Sequence, residues 1–197
     1  ALVGGPGSRQ ASGKAGFSVE KLIPYRAAES FEALRLRTER HARKSGRRPR
    51  VLLFAYGDLK MRKARVEFSL NFFSTAGFET VTEFAGSDAD AAAKLIAERN
   101  PDLVVLCSAD QEYTAMAGPL VAKLRTISPT LKRAKPLPVI VAGYPEEAVE
   151  QLRRDGVADF IHIRSNAVEV LRHWQQQLGI PPQQSKNRIA GGPGMED

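Results

Sequence analysis

The chain has 197 residues, of which 43% are hydrophobic and 26% are charged, a composition typical of a globular protein and not of a disordered or fibrous one. Its 29 lysines and arginines outnumber its 22 aspartates and glutamates, which favours an anionic partner such as nucleic acid, an acidic protein or a phosphorylated ligand. No apolar run approaches the roughly 20 residues that span a bilayer, no signal peptide is visible, and the single cysteine, Cys107, excludes a disulfide framework and predicts a reducing, cytoplasmic location.

The two ends of the chain differ in composition from its middle. Residues 1–16 and 181–197 are rich in small and polar residues and lack apolar periodicity, so both are expected to be flexible tails. Residues 17–49 are predicted to form an N-terminal linker, with a helix over 28–45 that Gly46 ends. Several cations lie between Arg40 and Arg50, and we expect this basic run to be a contact surface.

Residues 50–180 predict one α/β domain, in which strands alternate with helices. The third and fourth strands are continuous apolar runs, which indicates burial on both faces and therefore parallel strands joined by helical crossovers. The predicted fold is a flavodoxin-like doubly wound sheet of five parallel strands, in the order 2-1-3-4-5, with an extra N-terminal helix. The predicted strands are 51–56, 78–83, 102–107, 138–142 and 159–163, and the helices between and after them are 62–75, 89–99, 113–127, 145–154 and 166–178.

In such a sheet ligands bind beyond the carboxyl ends of the strands, near the switch between strands one and three. The loops at this position are 57–63, 108–112 and 143–145. The first loop carries a carboxylate and three cations before a helix, which could form a phosphate site. For Lys60, Arg62 and Lys63 we favour the simpler interpretation of a solvated helix start. The loop has neither of the common glycine-rich nucleotide motifs. A phospho-acceptor domain would need an aspartate directly after strand three, where Cys107 and Ser108 stand instead.

No assembled catalytic or metal site is visible in the sequence. His41, His162 and His173 are far apart and lack metal-ligand spacing, and the nucleophile motif GxSxG is absent. Cys107 lies in an apolar strand with no neighbouring histidine, so we expect a buried, unreactive thiol. The basic run could follow a phosphate backbone, but it lacks aromatic residues for base stacking. A basic adaptor for nucleic acid is therefore an alternative and not the main interpretation.

Five segments together resemble the C-terminal cobalamin-binding-type domain of methylmalonyl-CoA mutase, and specifically that of the small, non-catalytic subunit of the two-chain enzyme. The resemblance extends over about 26–178. It is carried by RAAESFEALR at 26–35, PRVLLFAYG at 49–57, ARVEFSLNFFSTAGF at 64–78, VLCSAD at 105–110 and DFIH at 159–162. That subunit also has a barrel-like N-terminal domain, for which this chain has no room, so we expect a fragment or a stand-alone remnant of the C-terminal domain.

The resemblance implies a cofactor site that has been lost. Cobalamin-binding members of the family carry D-x-H-x-x-G after strand one, and the histidine is the lower axial ligand of cobalt. In this chain Asp58 remains, but Lys60 stands at the histidine position and Lys63 at the glycine position. The family's S-x-L after strand three is reduced to Ser108, and its paired glycines after strand four to Gly143. These five positions are therefore expected to be vestigial, with no catalytic residue and no metal ligand among them.

The resemblance further implies a role in a heterodimer. The chain would pair with a large catalytic subunit and stabilise it, and adenosylcobalamin would be bound by that partner, which interconverts methylmalonyl-CoA and succinyl-CoA. An alternative is a mutase domain that still binds cobalamin in a base-on mode or through a ligand other than histidine.

Overall fold

The computed structural model describes residues 28–84, 86, 88–127 and 135–182. The predicted tail at 1–16, the predicted tail at 181–197 except for its first two residues, and the first part of the predicted linker lie outside the described residues. The described part contains α1 (Glu29–Ser45), β1 (Arg50–Ala55), α2 (Leu59–Thr75), β2 (Glu79–Phe84), α3 (Ala89–Arg99), β3 (Leu103–Cys107), α4 (Tyr113–Ile127), β4 (Val139–Ala142), α5 (Val149–Arg154), β5 (Asp159–Ile161) and α6 (Ala167–Gln177), with a single 3-10 turn, Asp110–Glu112, before α4.

The five strands form one parallel sheet in the order β2-β1-β3-β4-β5. The predicted flavodoxin-like fold, with its extra N-terminal helix, is confirmed. Strands β3 and β4 are buried along their whole length, as their continuous apolar sequences require. In the register, Leu53 of β1 lies between Thr82 of β2 and Val105 of β3.

Two apolar cores lie on opposite faces of the sheet, because successive side chains of a strand point to opposite sides. Leu52 and Phe54 of β1 face α3, α4 and α5. Val51, Leu53 and Ala55 face α1, α2 and α6. No helix among the described residues has the length and hydrophobicity needed to cross a membrane.

Helix α1 packs against α6 through buried polar contacts. The side-chain amide of Gln175 donates to the carbonyl of Leu34 at 2.7 Å and lies 2.9 Å from the hydroxyl of Thr38. Arg37 donates to the carbonyl of Pro181 at 3.0 Å. Leu34 adds an apolar contact to the same core as α6. One face of α1 is thus attached to the α/β unit, and its role as a linker stays a prediction.

Three predicted element ends differ from the structure by two residues or more. Helix α2 begins at Leu59 and not at residue 62, because the Asp58 carboxylate accepts from the Met61 amide at 2.8 Å and caps the helix. Helix α5 begins at Val149 and not at Pro145, since 145–148 forms a separate turn in which the Ala148 amide donates to the Pro145 carbonyl.

The third correction concerns β5, which ends at Ile161 and not at residue 163. There the His162 amide donates to the Ser165 hydroxyl at 3.0 Å, and the chain turns away from the sheet. Ile163 is left 87% exposed.

Candidate ligand site at the carboxyl edge of the sheet

The loops after β1, β3 and β4 meet at the carboxyl edge of the sheet, as predicted from the strand order. The hydroxyl of Tyr113 holds two of them together: it lies 2.9 Å from the carbonyl of Ser108 and 2.6 Å from the carbonyl of Ala142, and it accepts from the Ser108 amide at 3.1 Å. Tyr113 is fully buried, and burial is the main reason why its pKa is raised. The phenol therefore stays neutral and fixes the ends of β3 and β4 next to each other.

The carboxylate of Glu112 fills the crevice between the first and second of these loops. It accepts from the backbone amides of Asp58 and Ala109, each at 3.2 Å, and from the hydroxyl of Ser108. Ser108 is completely buried, and its Oγ lies 2.9 Å from the carbonyl of Tyr56. We call this set of two amides and one hydroxyl the carboxylate cradle.

The cradle favours the charged form of Glu112. The hydrogen bond from Ser108, followed by those from the Asp58 and Ala109 amides, lowers the pKa of this carboxyl below its usual range, against opposition from partial burial and from Asp58. Because the pKa is lower in the folded state than in the unfolded state, the contact stabilises the fold at neutral pH. This stabilisation is lost as the pH falls through the lowered pKa.

Gly57 lets the Glu112 carboxylate lie directly against the first loop. Its φ of +69° falls in the left-handed region, where glycine is favoured. A Cβ atom at this position would overlap the carboxylate of Glu112. The glycine of this loop therefore accommodates a side chain of the same molecule.

A second internal contact covers the loop after β4. Arg65 of α2 donates to Asp110 at 2.9 Å. A Cβ atom on Gly143 would lie 2.8 Å from the Asp110 carboxylate and 3.3 Å from the Arg65 guanidinium. Arg62 of the same helix donates to the carbonyl of Gly57 at 3.3 Å. Two α2 guanidiniums are thus engaged with the loops of the site.

The structure separates the predicted site residues into two groups. Asp58, Ser108 and Gly143 lie in the three loops that meet at the edge, and Asp58 serves as the cap of α2. Lys60 and Lys63 are exposed on the first turns of α2. The structure adds Glu112, Arg65 and Tyr113, which the sequence analysis did not select. A signal for Glu112 was present in the sequence, because a carboxylate four residues after Ser108 can reach back to the loop that follows β3.

The remaining candidates are Cys107 and the histidines, and none of them is a partner in the contacts of this site described above. Cys107 is completely buried beside Ser69, as predicted, and burial raises its pKa to about 12. The described residues contain no group of three His, Cys, Asp or Glu side chains placed to hold a metal. His173 is exposed on α6, and His162 lies beside Tyr144, with ring centroids 5.1 Å apart.

Part of the basic run is neutralised within the chain. Arg47 makes two hydrogen bonds to Asp102, at 2.6 and 2.9 Å, and Arg50 pairs with Glu79 at 3.0 Å. Arg48 lies 4.0 Å from Glu39. These pairs reduce the charge available to a phosphate backbone, while other cations of the run, including Arg43 and Lys44, are exposed.

Two open clefts lie near the ends of the sheet. One, of about 510 Å³, adjoins the site and is lined by Asp110, Thr114, Tyr144 and the turn at 145–148. The other, of about 650 Å³, lies at the amino edge beside Trp174 and Pro138. We take the carboxyl edge as the candidate site because ligands bind where the strand order of such a sheet reverses, although the larger of these two clefts lies at the amino edge.

Comparison with known proteins finds curated relatives of this sequence. The methylmalonyl-CoA mutase small subunit of Porphyromonas gingivalis is 36% identical over 163 residues, which are 83% of this chain and 24% of the relative. That of Streptomyces virginiae is 30% identical over 155 residues, 79% of this chain and 23% of the relative. The chain is a homologue of the methylmalonyl-CoA mutase small subunits. It spans about a quarter of the length of these curated relatives.

The other comparisons add little to this homology. No family model matches the chain. A cobalamin-binding protein from Desulfitobacterium hafniense DCB-2 has a solved structure that matches 77% of this chain and 71% of its own, with 20% identity and a TM-score of 0.47. This likeness concerns the fold only, and no functional argument rests on it. The resemblance to mutase small subunits is confirmed by the sequence relatives.

Proposed function

We propose that this chain is a non-catalytic part of a methylmalonyl-CoA mutase, which pairs with and stabilises an adenosylcobalamin-dependent catalytic subunit. By this proposal, the isomerisation of methylmalonyl-CoA and succinyl-CoA takes place on the partner. The observation that carries the proposal is that, in a homologue of the small subunits, the crevice at the strand switch is filled by the chain's own Glu112.

The residues present do not fit a histidine-ligated cobalamin. Lys60, at the position of the axial histidine, is exposed, and a protonated lysine has no lone pair for a metal. The Asp58 carboxylate, which would orient that histidine, instead caps α2. Glu112 takes the backbone amide of the same loop. These three features support the proposal that adenosylcobalamin belongs to the partner.

The carboxyl edge also has the character of a protein-binding surface. Six large hydrophobic side chains of the described residues are exposed, and four of them lie at this edge. Phe84 ends β2, Leu59 begins α2, and Tyr144 and Ile163 follow β4 and β5. Exposed apolar groups gathered on one surface are typical of an interaction site. We propose that this apolar edge, with the basic run as a second candidate, contacts the catalytic subunit.

Co-purification with a mutase large subunit from the same organism tests the pairing. We expect a stable complex on gel filtration, which the double substitution Phe84→Asp with Ile163→Asp weakens at least about tenfold, because charges would be buried in the contact. Leu70→Asp is the matched control, since Leu70 is exposed on α2 but lies about three turns from its start, away from the edge. The pair Arg43→Glu and Lys44→Glu tests the basic run separately. A chain that stays monomeric in the presence of the large subunit would contradict the proposal.

Restoring the two most altered motif positions tests the cofactor part of the proposal. We expect the double variant Lys60→His, Lys63→Gly to retain no cobalamin through gel filtration, because Glu112 still occupies the loop that the cofactor would approach. The measurement is the cobalamin absorbance that elutes with the protein, with the unaltered chain beside it. Retention by the unaltered chain would favour the alternative, a domain that binds cobalamin without histidine.

A further inference from the structure

We propose that the crevice at the strand switch is an oxyanion site that Glu112 closes from within the chain, and that a small phosphate or carboxylate group binds there when this side chain is displaced. The inference does not depend on the pairing proposed above. It rests on the donors that surround the crevice.

The carboxylate cradle already binds an oxyanion, namely the end of Glu112. Its donors come from two separate loops: the Asp58 amide after β1, and the Ala109 amide with the Ser108 hydroxyl after β3. Ser108 is completely buried. Converging amides and hydroxyls are the usual partners of phosphate and carboxylate oxygens in proteins. The cradle is therefore specific for a charged oxygen group and not for an apolar one.

Three buried donors of described residues near the carboxyl edge have no hydrogen-bond partner: Tyr56 Oη, Arg62 Nε and Arg65 Nε. Tyr56 packs in the core that faces α3, α4 and α5, whereas both arginines extend from α2 on the other face of the sheet to the loops of the site. Buried polar groups are normally satisfied, so each of these atoms has capacity for an acceptor.

Glu112 is attached in a way that permits its displacement. It is the last residue of the 3-10 turn Asp110–Glu112, directly before α4. Glu112 is only partly buried, so its side chain borders solvent. A ligand oxyanion would take over the cradle while the Glu112 carboxylate moves into water. Glu112 thus competes in the same molecule with any such ligand.

Inorganic phosphate is the probe that tests this site. We expect Glu112→Ala to bind phosphate at least about tenfold more tightly than the unaltered chain, because the competing carboxylate is gone. The binding is measured by titration of amide NMR signals, with the largest shifts at Asp58 and Ala109. Adding Ser108→Ala to Glu112→Ala is expected to reverse most of the gain, since it removes one donor of the cradle.

Glu147→Ala is the matched control, because it removes one exposed carboxylate from the neighbouring turn without touching the cradle. It is expected to leave phosphate binding as in the unaltered chain. If Glu112→Ala does not fold, as judged by circular dichroism, Glu112→Gln takes its place, with a smaller expected gain. The proposal is overturned if the folded Glu112 variant binds phosphate no more tightly than Glu147→Ala, or if its shifts map to Arg43 and Lys44 instead of the cradle.

Discussion

Replacing Phe73 with alanine is expected to lower the free energy of unfolding by about 3–5 kcal/mol, the range found for large-to-small changes of buried aromatics. Phe73 is completely buried on the side of α2 that faces the sheet. Its ring packs against those of Phe72 and Phe78, with centroids 5.3 and 5.8 Å away. The substitution would leave a cavity between α2 and the sheet. Urea denaturation, with the midpoint and slope compared between variants, measures the effect.

Phe84→Ala is the control for this prediction. Phe84 is 58% exposed at the end of β2, and its identified ring contact is with the Arg62 guanidinium, 5.8 Å away. Such an exposed cation–π contact contributes only about 0.5–1 kcal/mol. Equal losses for the two variants would mean that the core on the α2 side is not packed as the structure describes.

Gly57→Ala is expected to lower the free energy of unfolding by about 2–4 kcal/mol. Part of this loss is backbone strain, about 1–3 kcal/mol for a non-glycine residue in a conformation of this kind, because Gly57 has a φ of +69°. The rest arises because the new Cβ atom would push the Glu112 carboxylate out of its hydrogen bonds. Thermal or urea unfolding of the purified variant gives the loss.

Two comparisons separate the parts of this loss. Gly46→Ala has a similar φ of +82° but no atom within 4 Å of the new Cβ, so it reports strain alone. In a Glu112→Ala background, the loss from Gly57→Ala is expected to shrink by about 1–2 kcal/mol, a coupling typical of side chains in contact. Additive effects would indicate that Glu112 does not lie against the first loop.

The fold was largely predictable because its signal is repeated along the chain. Strands β1, β3 and β4 are short apolar runs, and the runs of β3 and β4 have no polar alternation, which is the pattern of a strand buried on both faces. The ends of elements were less predictable, since they depend on single side chains. The cap that Asp58 provides lengthens α2 by three residues, and the turn after Pro145 delays α5.

The position of the candidate site was predictable from the sequence, but the side chain that occupies it was not. Strand order alone brings the three loops together, so Asp58, Ser108 and Gly143 could be expected at one edge. The filling of the crevice by Glu112 depends on where one side chain points from a 3-10 turn, which no sequence pattern specifies. The exposure of Lys60 and Lys63 likewise depends on the start of α2, which was predicted three residues too late.

The contact between α1 and α6 determines how the chain enters and leaves the α/β unit. Arg37 holds Pro181 at 3.0 Å, and Arg37 lies eight residues, or about 12 Å at 1.5 Å per residue, from the start of α1 at Glu29. The last described residues are therefore held against the helix with which the described chain begins. Gln175 adds to this connection through its contacts with Leu34 and Thr38.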